Sequence, residues 1–289
     1  MRFAITAVDR YLGVFEALVR AGWEPVKLFT VPARSKLDNQ QAVLAFAEQK
    51  AIPIQLSRLT DRDMQDLRDR GCEALVVASY NWKVPAWEPY LKYAVNFHSS
   101  PLPYGRGPYP PVRAILDGWD HWGVTCHRLT AGFDGGDILA SEEFPLGQDE
   151  CHERLDLKIQ MAAKRLATRI AGAFPELWHK ARPQEQGSYF PKFKLWECVI
   201  DFDQPVEHIL RHVRAYGAIE SFAHVNHAWF VVRQAVGWTE AHEHSPGTVV
   251  HVFNQSVVVA AREGYVGLLD VSLAPANLSL EIEASRKTP

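Results

Sequence analysis

Two residues on one short apolar segment carry groups that can act on a carbonyl. Residues 95–107 read VNFHSSPLPYGRG, and Asn96 and His98 lie two positions apart. If the segment is a strand, both side chains point to the same face of the sheet. An amide and an imidazole side by side can donate hydrogen bonds to a carbonyl oxygen and stabilise the negative charge that develops on it. Taken alone, such a pair is more often a strand-end asparagine and a satisfied interior histidine.

A carboxylate in a second segment changes that interpretation. Residues 123–140 read GVTCHRLTAGFDGGDILA, in which Asp134 is followed by two glycines that allow a sharp turn between strands. Asp134 and Asp137 alone are also ordinary turn residues. Beside a histidine, however, Asp134 would raise the pKa of the imidazole and orient the ring. Asn96, His98 and Asp134 together predict a site that acts on a carbonyl group.

The elements that must hold these residues alternate between buried strands and helices. The apolar pattern predicts strands over 3–8, 25–30, 52–56, 74–78, 93–97, 124–129 and 138–144, and helices over 12–21, 39–50, 61–70, 110–117 and 150–181. This alternation is typical of an α/β fold with a Rossmann-like parallel sheet and helices on both faces. Because such sheets bind ligands at the carboxyl ends of their strands, we expect the site after Ala78 and after Phe97.

The sequence pattern changes after residue 181, where the helical apolar spacing ends, and this change predicts a second domain. The stretch ARPQEQGSY is polar and rich in turn residues, as expected of a linker, and a short helix over 205–214 follows. Several Val-rich stretches then alternate with Gly, Pro and Asn, which is typical of a small β-barrel or sandwich. We therefore expect an N-terminal catalytic domain over 1–185 and a small β-rich domain over 194–289.

Composition and charge disfavour several classes of protein. The formal net charge of the 289-residue chain is -3, so no basic field favours a nucleic-acid partner. No apolar run is long enough to span a bilayer, and the N-terminus lacks the features of a signal peptide, so we expect a cytoplasmic protein without a membrane partner. The four cysteines form no CxxC pair, which indicates neither a disulfide framework nor a zinc site.

Several familiar enzyme motifs are missing from the sequence. The first strand is not followed by G-x-G-x-x-G, which disfavours a dehydrogenase, and there is no Walker loop, G-x-S-x-G elbow or HExxH. His208 and His212 lie four residues apart on a predicted helix, a spacing that suits a metal. Since no third ligand is evident nearby in the sequence, we interpret them as surface histidines.

The order of the remaining motifs resembles that of a known family. N-x-H-x-S-x-L-P is followed by a short R-G loop, A-I-L-x-G, G-V-T-x-H-R and D-x-G-D-I-L, all within residues 95–144. This combination resembles the N10-formyltetrahydrofolate-dependent formyltransferases, and most closely the methionyl-tRNA formyltransferase-like branch, which includes enzymes that formylate amino sugars and other small amines. The predicted order of strands and helices agrees with that family from Met1 to about Ala181.

The resemblance implies an enzyme, a one-carbon transferase of the hydroxymethyl-, formyl- and related transferase class. Asn96, His98 and Asp134 match the catalytic residues of the family. N10-formyltetrahydrofolate is the implied co-substrate, and no metal is implied. The implied folate-binding residues are Ser79, Tyr80, Asn81, Trp82, Val84, Ser100, Pro101, Leu102, Leu129, Gly132 and Phe133. The β-rich C-terminal region resembles the OB-like barrel that follows the catalytic domain in this branch.

The expected chemistry follows from the types of these residues. An unprotonated amine attacks the formyl carbon, and the carbonyl oxygen becomes an oxyanion in the tetrahedral intermediate. Asn96 and a protonated His98 are the expected donors to that oxygen. Asp134 is expected to keep His98 charged and to accept the proton of the amine, directly or through water.

The sequence is less specific about the acceptor of the formyl group. Methionyl-tRNA formyltransferases usually carry a longer basic insertion after the second strand, whereas this stretch reads FTVPARSKLDNQQAV, with only Arg34 and Lys36. We therefore expect a small-molecule amine, either an amino sugar or an amino-acid derivative. Methionyl-tRNA is the second candidate, and a formyltetrahydrofolate hydrolase is a third. The sequence leaves the oligomeric state open.

Overall fold

The structure is a computed structural model that describes residues 1–31, 39–254 and 256–287. These residues divide into two compact units. Unit 1 comprises Met1–Pro110, His121–Pro145 and Asp156–Phe190, and unit 2 comprises Pro111–Asp120, Leu146–Leu155 and Pro191–Pro289. The functional division over 1–185 and 194–289 remains our proposal. Arg34 and Lys36, on which the expected absence of a basic insertion depends, lie outside the described residues.

Unit 1 alternates strands and helices much as the apolar pattern predicts. Its strands are β1 (Arg2–Ala7), β2 (Glu24–Phe29), β3 (Ile54–Gln55), β4 (Ala74–Ala78), β5 (Tyr93–His98), β6 (His121–Arg128) and β7 (Ile138–Pro145). Its helices are α1 (Leu12–Arg20), α2 (Gln41–Gln49) and α3 (Asp61–Asp69). α3 begins with a capping box, in which the Thr60 hydroxyl accepts from the backbone N–H of Asp63 and the Asp63 carboxylate accepts from that of Thr60.

The strands of unit 1 form one sheet in the order β3-β2-β1-β4-β5-β6-β7. The pairs from β3 to β5 are parallel, whereas β5–β6 and β6–β7 are antiparallel. The Rossmann-like fold class is therefore confirmed, but the sheet is mixed at one end. The reason is the short connection between β6 and β7, because residues 129–137 can close a hairpin but cannot contain the crossover that a parallel pair requires.

β4 and β5 end at the same edge of this sheet. All residues of β4 are buried, as expected for an ALVVA strand covered on both faces. Val77 of β4 pairs with Asn96 of β5, so the segments after both strands leave the sheet side by side. This edge is where a sheet of this class binds its ligands.

The long helix α5 (His152–His179) is interrupted near its C-terminal end. Ala173 has non-helical angles, with φ -136° and ψ 23°, and Pro175 lies two residues later. A proline in a helix has no N–H to donate, and its ring clashes with the preceding turn. The apolar spacing predicted one continuous helix over 150–181, and the structure shows two helical pieces joined at this kink.

Unit 2 is built on an antiparallel sheet. Its strands are β8 (Ser221–Val225), β9 (Ala228–Thr239), β10 (Val249–Phe253), β11 (Ser256–Ala261) and β12 (Gly264–Leu273), in the order β10-β11-β12-β9-β8. It also contains the helices α4 (Pro111–Leu116), α6 (Val206–Tyr216) and α7 (Leu278–Lys287). Ile209 and Val213 of α6 pack with Val232, Val259 and Val266 of the sheet in one apolar core. The predicted β-rich second part is thus confirmed, while α7 was not predicted.

Two smaller expectations concern histidines and membranes. His208 is exposed, as expected of a surface histidine. The same interpretation is wrong for His212, which is largely covered and donates from Nε2 to the Cys198 carbonyl oxygen at 3.1 Å. Among the described helices, none has the length and apolar character needed to cross a bilayer.

Candidate active site

The register of β5 against β6 places two polar side chains opposite each other. Asn96 pairs with His127, and His98 pairs with Thr125, across an antiparallel ladder. Residues directly opposite in such a pair point to the same face and lie within contact distance. Accordingly, Asn96 Nδ2 lies 3.1 Å from His127 Nε2. The His127 Nδ1–H donates to the Arg128 carbonyl oxygen at 2.8 Å, so Nε2 is the acceptor when the ring is neutral.

The hairpin between β6 and β7 brings Asp134 to the same place. Asp134 Oδ1 accepts from Asn96 Nδ2 at 3.2 Å and lies 3.4 Å from His98 Nδ1 and 3.6 Å from His127 Nε2. The other carboxylate oxygen, Oδ2, accepts from the Gly107 backbone N–H at 2.9 Å. Asp134 has a φ of 52°, a left-handed backbone angle that is uncommon for a residue with a side chain. The structure therefore brings Asn96, His98 and Asp134 together, as the sequence predicted.

His98 is held between two acceptors. Its Nε2–H donates to the Gly105 carbonyl oxygen at 2.8 Å, and its Nδ1 faces Asp134 Oδ1. Because Nε2 carries the hydrogen when it donates to a carbonyl, the neutral ring has its lone pair on Nδ1. His98 can therefore take up one further proton, and Nδ1 is the atom that receives it.

Burial decides the protonation state of His98 in the free site. The side chain is 9% exposed, and this burial lowers the pKa of His98 below its ordinary value, although Asp134 and the Gly105 carbonyl act in the opposite direction. His98 is therefore neutral near pH 7, contrary to the expectation that Asp134 keeps it charged. The physical reason is that desolvation of the imidazolium outweighs its attraction to one carboxylate.

Asp134 remains ionised in the same surroundings. Burial alone would raise the pKa of its carboxyl group, but His127, His98 and the Gly107 N–H together hold that pKa below the ordinary value. The site at neutral pH thus contains an ionised Asp134 whose Oδ1 lies 3.4 Å from Nδ1 of the neutral His98 ring.

The contacts of Asn96 add a constraint that the sequence did not predict. Both hydrogens of its amide are used inside the site, one toward His127 and one toward Asp134. In the free protein, Asn96 therefore has no N–H left to donate to a substrate oxygen. His127 was not predicted as a site residue, although it lies within the motif G-V-T-x-H-R. The usable signal was the register, which places His127 opposite Asn96.

Comparisons with known proteins identify the family of this chain. Residues 30–170 match the model of the formyl transferase family, and residues 192–278 match the formyl transferase C-terminal domain. The methionyl-tRNA formyltransferase of Roseobacter denitrificans is 30% identical over 71% of this chain and 70% of its own length. The chain belongs to the formyltransferase family. Members of this family are transferases that use formyltetrahydrofolate.

Solved structures of low sequence identity share the fold of this formyltransferase. HypX from Aquifex aeolicus superposes with a TM-score of 0.72 at 18% identity, over 95% of this chain but only 46% of HypX. The chain thus spans about half the length of HypX. The sugar 3N-formyltransferase WlaRD, solved in the presence of dTDP and 5-N-formyl-tetrahydrofolate, superposes with a TM-score of 0.68 at 15% identity, over 92% of this chain and 96% of WlaRD.

The residues expected to bind folate form an apolar wall after β4. Tyr80, Val84 and Leu129 are partly buried and pack on one apolar cluster of unit 1. Trp82 contacts Tyr80 edge-on, with ring centroids 5.4 Å apart. Ser79 has a φ of 86°, so the backbone turns sharply where β4 ends. A half-buried wall of aromatic and aliphatic groups at a strand edge suits a flat ring such as a pterin.

The other expected folate residues divide into buried and exposed groups. Ser100 is fully buried and donates from Oγ to the Tyr104 carbonyl oxygen at 2.8 Å, and Leu102 is 6% exposed. Their side chains support the loop from within, and Pro101 between them is partly buried. Asn81, Gly132 and Phe133 are exposed, and Phe133 is 72% exposed beside Asp134 in sequence. The structure thus joins the residues after β4 with Leu129 and leaves Phe133 open to solvent.

Proposed function

We propose that this chain transfers the formyl group of N10-formyltetrahydrofolate to the amine of a small-molecule acceptor, such as an amino sugar or an amino-acid derivative. The observation that carries the chemistry is the convergence of Asn96, His98 and Asp134 at the carboxyl edge of β4 and β5. Bound formyltetrahydrofolate would supply the electrophilic formyl carbonyl, and the apolar wall of Tyr80, Trp82 and Val84 would hold its ring.

In this proposal, His98 takes up the proton that the attacking amine releases. The free ring is neutral, and its lone pair on Nδ1 is beside the Asp134 carboxylate at 3.4 Å. A base with a pKa near or below the working pH can accept a proton during the reaction and return it afterwards. The charged ring is then stabilised by Asp134 and Gly105 and can return the proton to the departing folate nitrogen.

Protonation of His98 also provides a donor for the oxyanion. In the free site, Asp134 Oδ1 accepts from Asn96. Once His98 Nδ1 carries a hydrogen, it competes for the same oxygen, and a hydrogen bond between the imidazolium and the carboxylate is stronger than one from a neutral amide. The displaced N–H of Asn96 is then available to the developing negative charge. In this scheme Asn96 donates to the oxyanion of the tetrahedral intermediate, and the positive charge of the His98 ring stabilises it, with Asp134 assisting. Asn96 thus becomes a donor only during the reaction.

The arginines around the site support a small acceptor. Arg10 forms an ion pair with Asp156, and Arg106 donates to the Gln184 side chain and the Glu185 carbonyl oxygen. Arg128 likewise donates to Asp137 at 3.0 Å and to the Trp178 carbonyl oxygen at 2.6 Å. A protein that binds a phosphate backbone needs cationic side chains that are free to contact phosphate groups. In the described part of unit 1, these three guanidinium groups instead hold the protein together.

Methionyl-tRNA is the second candidate acceptor. It is favoured by the relative from Roseobacter denitrificans, which is a methionyl-tRNA formyltransferase at 30% identity. The two acceptors make different demands on the surface, because tRNA binding weakens steeply with salt while binding of a small amine depends on it much less.

An acceptor screen tests the proposal directly. The purified chain is given N10-formyltetrahydrofolate with nucleotide-linked amino sugars, hydroxylated amino acids, charged initiator tRNA or no acceptor, and tetrahydrofolate release is followed. We expect release only with a small amine, together with one equivalent of formylated product. Release with the charged tRNA alone would replace our proposal by the second candidate. Release of formate without any acceptor would identify a hydrolase.

A further inference from the structure

Residues 184–190, which we call the strap, lie directly against the loop that partners His98. The Arg106 N–H donates to the Ser188 carbonyl oxygen at 3.0 Å, and the Phe190 N–H donates to the Arg106 carbonyl oxygen at 2.7 Å. The Gly105 N–H donates to Ser188 Oγ at 2.9 Å. The sequence predicted a linker here, whereas the structure shows a segment bonded to the loop whose Gly105 carbonyl holds His98.

The side chain of Gln184 connects the strap to the other partner of His98. Its Nε2 donates to the carbonyl oxygens of Asp134 and Gly136, both at 2.7 Å. Its Oε1 accepts from Arg106 Nε at 2.9 Å. One amide therefore joins the Asp134 turn to the Gly105–Gly107 loop, and only an amide can donate twice and accept at once in this position.

Glycines allow the strap to approach this closely. A Cβ on Gly187 would overlap the carbonyl oxygen of Pro103, and a Cβ on Gly107 would overlap that of Phe190. Gly107 also has a φ of 100°, a conformation that other residues rarely adopt. The strap and the loop are thus packed backbone against backbone.

The Asp134 turn needs such support. Asp134 has a left-handed backbone angle, and Gly135 after it is exposed. A residue in this conformation persists only where its surroundings fix it, and such positions cluster at functional sites. The two hydrogen bonds from Gln184 fall on the carbonyls of Asp134 and Gly136, on either side of that flexible residue.

We propose that Gln184 is a positioning residue of the active site, and that the strap fixes both acceptors of His98, Gly105 through Ser188 and Asp134 through Gln184. The catalytic consequence rests on the proposed function, but the positioning itself does not. Gln184 touches neither His98 nor any reacting atom. It acts by keeping Asp134 Oδ1 within reach of His98 Nδ1.

The first test measures the titration of His98 by the ¹⁵N NMR shifts of its ring nitrogens, assigned with a His98→Gln variant. Asp134 acts to raise the pKa of His98, so a displaced Asp134 lowers it further. We expect the midpoint to fall by about one pH unit in Gln184→Ala, the lower end of what a nearby carboxylate contributes. Gln186→Ala is the matched control, because Gln186 is on the same segment with an exposed side chain, and its midpoint should equal that of the wild type.

A second variant guards against loss of folding. Gln184→Met keeps the length of the side chain and adds no charge, but its thioether cannot donate to the two carbonyl oxygens. It should lower the His98 midpoint in the same direction as Gln184→Ala, with Gln186→Met as its control. An unchanged midpoint in either folded Gln184 variant, as checked by circular dichroism, would overturn the proposal. Because this titration needs no acceptor, it remains decisive even if the acceptor screen rejects the proposed function.

The kinetic test separates positioning from binding. With the amine found in the screen, Gln184→Ala should lower kcat by about 10- to 100-fold, as expected when a reacting group is misplaced. The KM for formyltetrahydrofolate should stay within about twofold, since the apolar wall after β4 is untouched. A rise in KM with unchanged kcat would contradict the assignment and would indicate a role in binding instead.

Discussion

Replacement of Asp134 by asparagine keeps the shape of the side chain and removes its charge. In the wild type, Oδ1 faces Asn96 Nδ2 at 3.2 Å and His98 Nδ1 at 3.4 Å, and Oδ2 accepts from the Gly107 N–H at 2.9 Å. An asparagine side chain has only one oxygen, so it can face either Asn96 and His98 or Gly107, but not both. If its oxygen faces Gly107, its NH2 group points at the NH2 group of Asn96, and this buried mismatch costs about 1–3 kcal/mol.

The larger effect of this variant falls on His98. A charge pair separated by 3.4 Å interacts by about 5 kcal/mol at an effective dielectric constant of about 20. That is an upper bound, because the Asp134 side chain is 13% exposed and water screens part of the field. Carboxylates at such distances usually shift a neighbouring pKa by about 1–3 units. The pKa of His98, already lowered by burial, should therefore fall by about 1–3 further units in Asp134→Asn.

Turnover should follow this change in basicity. In the proposed mechanism, His98 must accept the proton of the amine, and Asp134 must stabilise the imidazolium that results. We expect Asp134→Asn to lower turnover by about 100- to 1,000-fold, comparable with loss of one oxyanion donor. Asn96→Ala and His98→Ala should each lose about 100-fold or more without unfolding the protein. The assays are tetrahydrofolate release and ¹⁵N titration of His98. An unchanged His98 midpoint in Asp134→Asn, or turnover within about threefold of the wild type, would refute this reasoning.

Three further predictions concern stability and folate binding. Gly136→Ala should lower the free energy of unfolding by about 1–3 kcal/mol in urea titrations, because a Cβ there overlaps the Arg128 carbonyl oxygen; a change under about 0.5 kcal/mol would contradict the packing. Burial lowers the pKa of His212 from 6.5, so the unfolded chain binds the proton more tightly and stability is lost as pH falls below about 6.5. Urea titrations at several pH values should show that His212→Gln removes part of this loss, and an identical pH profile in variant and wild type would count against it. Phe133→Ser should weaken tetrahydrofolate binding by about 2- to 10-fold in a fluorescence titration while the melting temperature stays unchanged, whereas unaltered binding would remove Phe133 from the folate site.

The strands and helices of unit 1 are predictable because burial dominates them. β4 is predicted to the residue, since an ALVVA run covered on both faces has no other stable environment. The kink in α5 does not show in the apolar spacing, which continues through Ala173. The usable signal in the sequence is Pro175, because a continuous helix cannot accommodate its ring. α7 was missed because its sequence, LSLEIEASRK, buries only Leu278 and Ile282 and so shows little of the helical apolar period.

The site was predictable in its residue types but not in its hydrogen bonds. Asn96, His98 and Asp134 could be chosen from their chemistry and motif order, and the structure brings them together. The neutral state of His98 could not be predicted, because it depends on how far burial outweighs one carboxylate. The contacts of Gln184 could not be predicted either. A polar, turn-rich segment has the composition of a linker, and composition does not show whether it forms hydrogen bonds with a distant loop.

In our proposal, a site built on Asn96, His98 and Asp134 formylates a small amine. Its most direct test is to measure tetrahydrofolate and formylated amine together, for the wild type and for His98→Ala, with N10-formyltetrahydrofolate and the best amine from the screen. We expect equal amounts of both products from the wild type and a rate at least about 100-fold lower from His98→Ala. A His98→Ala variant that formylates the amine at the wild-type rate would contradict it.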